Sequence, residues 1–194
     1  MTKQNLARPC LVLFTALSVI TGVVYPAAVT GVAGALFPKQ AAGSLVERDG
    51  KAVGSALIGQ NFSDPGHFWG RPSATAPQPY NGSGSSGSNQ GPLNPALTDA
   101  VKARVEALRA ADPGNTAPVP ADLAMASASG LDPHISPEAA RYQAARVARV
   151  RGLSTTQVQQ LVDAQVQRPA LPFLGDPVVN VLALNLALDA LTKR

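Results

Sequence analysis

The side chains able to do chemistry are few and scattered. Ser127, Ser129 and Ser136 lie near His134, Asp132 and Asp122 in sequence, which are the residue types of nucleophilic acyl transfer. Ser127-Ala-Ser129-Gly130 lacks the Gly-x-Ser-x-Gly spacing that exposes a serine on a strand-to-helix turn, and closeness in sequence does not build a triad. Backbone hydrogen bonding accounts for a loop histidine such as His134. No two acids stand out as a carboxylate pair for glycoside hydrolysis. His67, His134 and the single Cys10 have no zinc-site spacing, and one cysteine cannot form an internal disulfide. The tract Asn81 to Gly91 is Gly/Ser-rich but has neither a Lys-Ser/Thr pair nor a strand leading in. It reads as a flexible linker and not as a phosphate loop. No catalytic residue and no metal ligand can be assigned from these patterns.

Charge points away from nucleic acid. The formal net charge is +4, but the basic residues are dispersed except for Arg141, Arg146, Arg149 and Arg151 on one predicted helix. Phosphate binding calls for a denser patch, so a solvated helix face is expected.

The elements around these residues divide the chain in two. From Pro9 to Pro38 no side chain is charged, a run well beyond the ~20 residues that cross a bilayer. A cleaved signal peptide has a shorter apolar core, so an uncleaved anchor is expected, spanning from Leu11 to Leu36 and kinked at Pro26. Lys3 and Arg8 precede the run, and Lys39, Arg48 and Lys51 follow among acids. This modest bias predicts a cytoplasmic N-terminus and an extracytoplasmic domain over 39–194, with 1–38 as N-terminus and anchor. Gly22, Gly31 and Gly34 with nearby alanines offer small surfaces for another membrane helix.

In the second part, Asp49-Gly50 between Leu45–Arg48 and Lys51–Ile58 predicts a hairpin. Residues 63–93 read as loop. Asn94-Pro95 caps a helix with an apolar stripe at Leu97, Val101, Val105 and Leu108. A short helix is expected over Asp122–Ser129, stopped by Gly130. Another starts at Ser136-Pro137, carries Ala139, Ala140, Ala144, Val147 and Val150, and closes at Gly152. Ser154 to Gln157 fits a capping box for a further helix that ends at Pro169. Asp176-Pro177 is expected to start the last, nearly all-apolar helix, too short at ~14 residues to span a membrane. The predicted class is α+β: one transmembrane helix, then a small extracytoplasmic domain with a β-hairpin and about four helices.

Several strings in order carry a family resemblance. They are Thr21-Gly-Val-Val-Tyr25-Pro26, Phe37-Pro38, Gly54 to Phe62, Phe68-Trp-Gly-Arg71-Pro-Ser-Ala74, Gly87-Ser-Asn89, Ser127 to Ser136, Tyr142-Gln143 through Leu153, Val179 to Leu182 and Leu184-Asn-Leu186. Across about 21–191 the chain resembles the C subunit of the bacterial Kdp potassium-transporting ATPase. The resemblance implies a non-catalytic accessory subunit of a high-affinity, ATP-driven potassium uptake complex in the inner membrane. Its implied partners are a channel-like potassium-translocating subunit, a P-type ATPase subunit and a very small single-helix subunit. It further implies a catalytic chaperone that promotes ATP binding by the ATPase subunit, or a cap over the potassium entrance. No firmly bound cofactor is expected: ATP belongs to the partner and potassium is cargo. Leu153-Ser-Thr-Thr-Gln157 loosely echoes the ABC-transporter signature without its glycines, which makes Ser154 and Gln157 the candidate ATP contacts. For partner contact the candidates are Gln60, Asn61, Phe62, Arg71, Ser73, Ser88, Asn89, Asp132 and His134. A membrane-anchored envelope hydrolase and a wall-binding module are the alternatives.

Overall fold

The computed structural model describes residues 6–171 and 173–192, so Lys3, invoked above for orientation, lies outside the described residues. The chain forms two compact units that divide between Leu45 and Val46.

The first unit is dominated by one helix, Ala7–Leu36, of 30 residues. At 1.5 Å per residue it is about 45 Å long, against roughly 30 Å of hydrocarbon core. It comprises α1 (Ala7–Val19), a π-helical turn (Ile20–Val24) and α2 (Tyr25–Leu36), with no buried residue in either α segment. The π turn has a local cause. Pro26 has no N–H and its ring would collide with the preceding turn. The widened turn makes room, with Tyr25 N–H reaching back to the Ile20 carbonyl and Thr21 Oγ1 donating to the Leu17 carbonyl at 2.7 Å. A single helical turn, α3 (Pro38–Ala41), follows.

The second unit is α+β. The hairpin forms as its turn dictates: β1 (Leu45–Arg48) and β2 (Lys51–Ser55) pair across Asp49 and Gly50, whose φ angles are +53° and +73°. Two positive φ values are what a type I′ turn requires. β2 stops at Ser55, which bridges to Ile58. Helix α4 (Pro95–Ala111) is capped by Asn94 Oδ1, which accepts from Ala96 N–H. Helix α6 (Pro137–Arg151) is capped by Ser136 and closed by left-handed Gly152. Helix α7 (Thr155–Gln165) carries the complete Ser154/Gln157 capping box. Ala139, Ala140, Ala144, Val147, Val158, Val162, Leu184 and Leu188 are fully buried and form the core with Phe68, Ile135 and Val179. Val150, expected on the buried face, is 51% exposed.

Three expectations are corrected. The helix at 122–129 is one turn, α5 (Ala121–Ala124). Gly130 does not stop it but turns a later loop, at φ +68°. Asp176-Pro177 does not open the last helix. Val178–Asn180 is a strand, β5, in keeping with its two adjacent β-branched residues, and α8 (Val181–Thr192) starts after it. Asn180 Oδ1 accepts from Ala183 N–H at 3.0 Å, an N-cap contact. Helix α7 ends at Gln165, short of Pro169, where the chain enters β4 (Val166–Gln167). With β3 (His134–Ile135), these strands make an antiparallel sheet in the order β3-β5-β4, with His134 opposite Asn180 and Val166 opposite Val179.

Candidate functional site

The site is made of loop, and its position is set by the helices beneath it. Phe68 is fully buried, and burial obliges its backbone groups to find partners. Asn185 on α8 supplies both: its Oδ1 accepts from Phe68 N–H at 2.8 Å and its Nδ2 donates to the Phe68 carbonyl at 3.0 Å. Gln143 on α6 does the same for Trp69, at 2.8 and 3.1 Å. Arg146 is 2% exposed. It donates to the carbonyls of Pro65 and His67 and to Gln143 Oε1, and its guanidinium lies 4.6 Å from the centre of the Trp69 ring. Burial pushes its pKa down to about 10. The solvated reading of these arginines holds for Arg141 and Arg149, which are exposed, but not for Arg146, which is buried, or Arg151, which is half-buried. Arg151 donates to the Gly66 carbonyl, Arg149 pairs with Asp112 and Arg141 with Asp163.

On this base four loop segments are knitted together. Gly59 N–H donates to the Leu131 carbonyl, Ser127 N–H to the Pro72 carbonyl, and Ser86 N–H to the Ser129 carbonyl. Ser85 Oγ also donates to Ser129 O, so the Gly/Ser tract is pinned, contrary to the flexible-linker reading. Ser73 Oγ donates to the Gly130 carbonyl at 2.7 Å and accepts from Tyr80 N–H at 2.9 Å. Arg71 Nη1 meets Asp132 Oδ2 at 3.1 Å. Asp132 Oδ1 accepts from His134 N–H at 3.0 Å, with the imidazole Nδ1 3.4 Å away. Burial alone would raise the Asp132 pKa. Hydrogen bonds from the His134 side chain and backbone, with the Arg71 charge, more than offset that and hold it below its usual range. Tyr80 wedges between Gly59 and Gly70: a Cβ at Gly59 would lie 2.4 Å from its Cε1, and one at Gly70 2.8 Å from its Oη. Burial, then the Asp132 charge, raise its pKa to about 12.

The predicted residues divide by role. Gln60 turns inward and donates to the Val53 carbonyl at 2.6 Å, while Phe62 packs on the core with its ring 5.9 Å from that of His67. Asn61, Ser88 and Asn89 are exposed. Arg71, Ser73, Asp132 and His134 are half-buried. Ser154 and Gln157 satisfy each other and are exposed on α7, on a different element from the knot. Sequence reasoning missed the structural importance of Gln143, Arg146 and Asn185. The visible signal was the presence of two amides and an arginine on otherwise apolar helix faces.

A cleft of about 270 Å³ opens beside the knot, between Asn61, Phe62, Trp69, Arg71, Tyr80 and Arg104. A second polar cluster joins Asp189 to Arg48 (3.0 Å), Arg151 (2.8 Å) and His67 (3.2 Å). Burial alone would raise the Asp189 pKa, but hydrogen bonds from Arg48, Arg151 and His67 bring it below its ordinary value. Among the described residues no group of three His, Cys, Asp or Glu side chains is placed to hold a metal.

An apolar helix long enough to cross a membrane, joined to a compact α+β domain whose organised surface is a knot of loops, fits the class of single-helix membrane-anchored domains. The family model described as K+-transporting ATPase, c chain, matches residues 7–190, and the chain belongs to this KdpC family. It is 70% identical over 188 residues to the potassium-transporting ATPase KdpC subunit of Polaromonas naphthalenivorans (strain CJ2), covering 97% of this chain and 96% of that one. It is 72% identical over 187 residues to the KdpC subunit of Variovorax paradoxus (strain S110), covering 96% and 97%. It is 63% identical over 190 residues to that of Dechloromonas aromatica (strain RCB), covering 98% and 100%.

Proposed function

We propose that this chain is the accessory subunit of a high-affinity, ATP-driven potassium uptake complex, and that its loop knot is the docking face. Its helix lies in the bacterial inner membrane with the N-terminus in the cytoplasm, and the domain stands outside. Its partners are the channel-like potassium-translocating subunit, the P-type ATPase subunit and a small single-helix subunit. The knot covers the potassium entrance of the channel-like subunit. From there the domain raises the ATPase subunit's affinity for ATP without touching nucleotide: unequal contact with two conformations of a partner shifts the balance between them.

The observation that carries this reading is the convergence of the segments around Asn61, Arg71, Ser88 and Asp132 on one face, fixed by hydrogen bonds but open to solvent at Asn61, Ser88 and Asn89. The capping box supports the indirect route for ATP, because it accounts for both Ser154 and Gln157 without a ligand.

The test is a mild-detergent pull-down of a C-terminally tagged chain from potassium-starved membranes, with an untagged control. Wild type should bring the partner subunits with it. Ser88→Arg, at an exposed position, should lose them while the chain itself accumulates normally. Full recovery with Ser88→Arg, together with normal uptake at micromolar potassium, would reject the docking face.

A further inference from the structure

We infer that the cleft beside Arg104 receives an acidic side chain, Asp or Glu, presented by the partner chain that docks on the loop knot; this rests on the docking proposed above. The cleft and the knot share Asn61, Phe62, Arg71 and Ser73, so a partner seated on the knot covers the cleft mouth.

The lining has an electrostatic gap. Arg104 donates from Nη1 to the Ala124 carbonyl at 2.9 Å but forms no ion pair among the described residues. No acidic residue lines the cleft. Burial lowers the Arg104 pKa, and no neighbouring carboxylate opposes it. A guanidinium partly withdrawn from water without a counter-ion is unfavourable, and a carboxylate is the group that fits its planar fork. Arg71 also lines the cleft and adds positive charge, but Asp132 holds one end of its guanidinium, which leaves Arg104 as the cation without a counter-ion.

The rest of the lining selects against other ligands. Phe62, Trp69 and Tyr80 wall the cleft and suit the methylenes of an acidic side chain. At about 270 Å³ the cleft lies below the ~300 Å³ at which small-molecule sites begin, which favours one side chain over a nucleotide or sugar. A lysine or arginine would meet Arg104 with like charge.

Ala107 is exposed on α4, one turn after Arg104, and lines the cleft. Ala107→Glu supplies a carboxylate from the chain itself, and Ala107→Gln is its uncharged match in shape. In the pull-down, Ala107→Glu should reduce partner recovery about tenfold, while Ala107→Gln retains most of it. Trp69 is the single tryptophan, so its fluorescence reports on the cleft in the purified full-length chain. Benzoate should shift the emission, benzamide should not, and Arg104→Met should abolish the benzoate response.

Full recovery with Ala107→Glu overturns the inference, and Ser88→Arg then separates two cases. If Ser88→Arg still loses the partners, the docking face stands and the acidic contact fails; if neither variant loses them, both readings fail. A benzoate response with undiminished recovery in Ala107→Glu assigns the cleft to a free anion and also overturns the partner contact. Equal losses with Glu and Gln make the effect steric and reject the charge argument.

Discussion

The helical layer α6–α8 and the loop from Gly59 to Gly91 are both ordered, but by opposite means. The helices satisfy their own backbones, so their buried faces need only shape, and Ala139, Ala144, Val158 and Leu184 reach 0% exposure by packing. The loop contains no helix or strand and has no such internal ladder. Its backbone is satisfied by side chains rising from the helices: Asn185 for Phe68, Gln143 for Trp69, Arg146 for Pro65 and His67, and Arg151 for Gly66. The order of the loop is borrowed. It follows that the proposed docking face can be destroyed by substitutions far beneath it that leave the helices able to form.

The largest effect is expected at Arg146. Methionine there keeps much of the volume but strips three carbonyl or amide oxygens of a charge-assisted donor, and should cost about 3–5 kcal/mol. Far-UV helicity should survive at low denaturant, while Trp69 fluorescence shifts toward that of an exposed indole. If Trp69 stayed native-like and the denaturation midpoint did not move, the loop would not depend on the arginine.

A smaller effect is expected within the loop itself. Gly59→Ala puts a methyl 2.4 Å from Tyr80 Cε1 and 2.7 Å from the Asp132 carbonyl, and overpacking of this kind costs about 1–3 kcal/mol. Because Tyr80 and Asp132 sit in the knot, partner recovery should fall along with stability. Gly114→Ala, where nothing lies within 4 Å, should leave both unchanged. Equal behaviour of the two variants would mean that the knot relaxes freely.

The same contrast explains what the sequence discloses. Local rules could be read directly: the Asp49-Gly50 turn, the Asn94, Ser136 and Ser154 caps, the Gly152 stop and the charge-free run each depend on residues within one or two turns. The sheet β3-β5-β4 could not, because its strands are two or three residues long and meet across more than 40 positions between His134 and Asn180. Arg146 and Arg151 of α6 depart from the solvated reading for a related reason: the sequence places them on one helix but cannot show that a loop about eighty positions earlier lies over them. The segments of the candidate site were singled out by family resemblance; composition gave no hint that Ser86 would bond the Ser129 carbonyl or Ser73 the Gly130 carbonyl.

Acid should reveal a third, weaker tie between hairpin, loop and helix. Asp189 on α8 binds Arg48 of β1, His67 of the loop and Arg151 of α6. Its folded-state pKa is lowered, so its contribution is complete above the unfolded value near 3.9 and is lost as pH falls through the folded one. Asp189→Asn should therefore cost about 1 kcal/mol at neutral pH and progressively less as pH falls below the ordinary carboxylate range, which flattens the acid limb of the stability profile. Denaturant midpoints of both proteins across pH 2–7 provide the check. A gap that stayed constant with pH would assign the effect to packing.

The smallest expected effect sets a helix end against the knot. Ser154→Ala removes the acceptor for Gln157 N–H and should cost about 0.5–1 kcal/mol at this exposed cap. Gln157→Ala removes the reciprocal bond to Ser154 N–H and should cost less. Since capping occupies the Ser154 hydroxyl and Gln157 Oε1, neither change should alter the ATP dependence of the assembled complex once equal amounts of complex are compared. Substitutions at the knot should alter it, because there the proposed influence on ATP passes through docking. A raised ATP requirement in Ser154→Ala, with assembly intact, would reverse the assignment: the helix end would then be the functional surface and the loop knot only a scaffold.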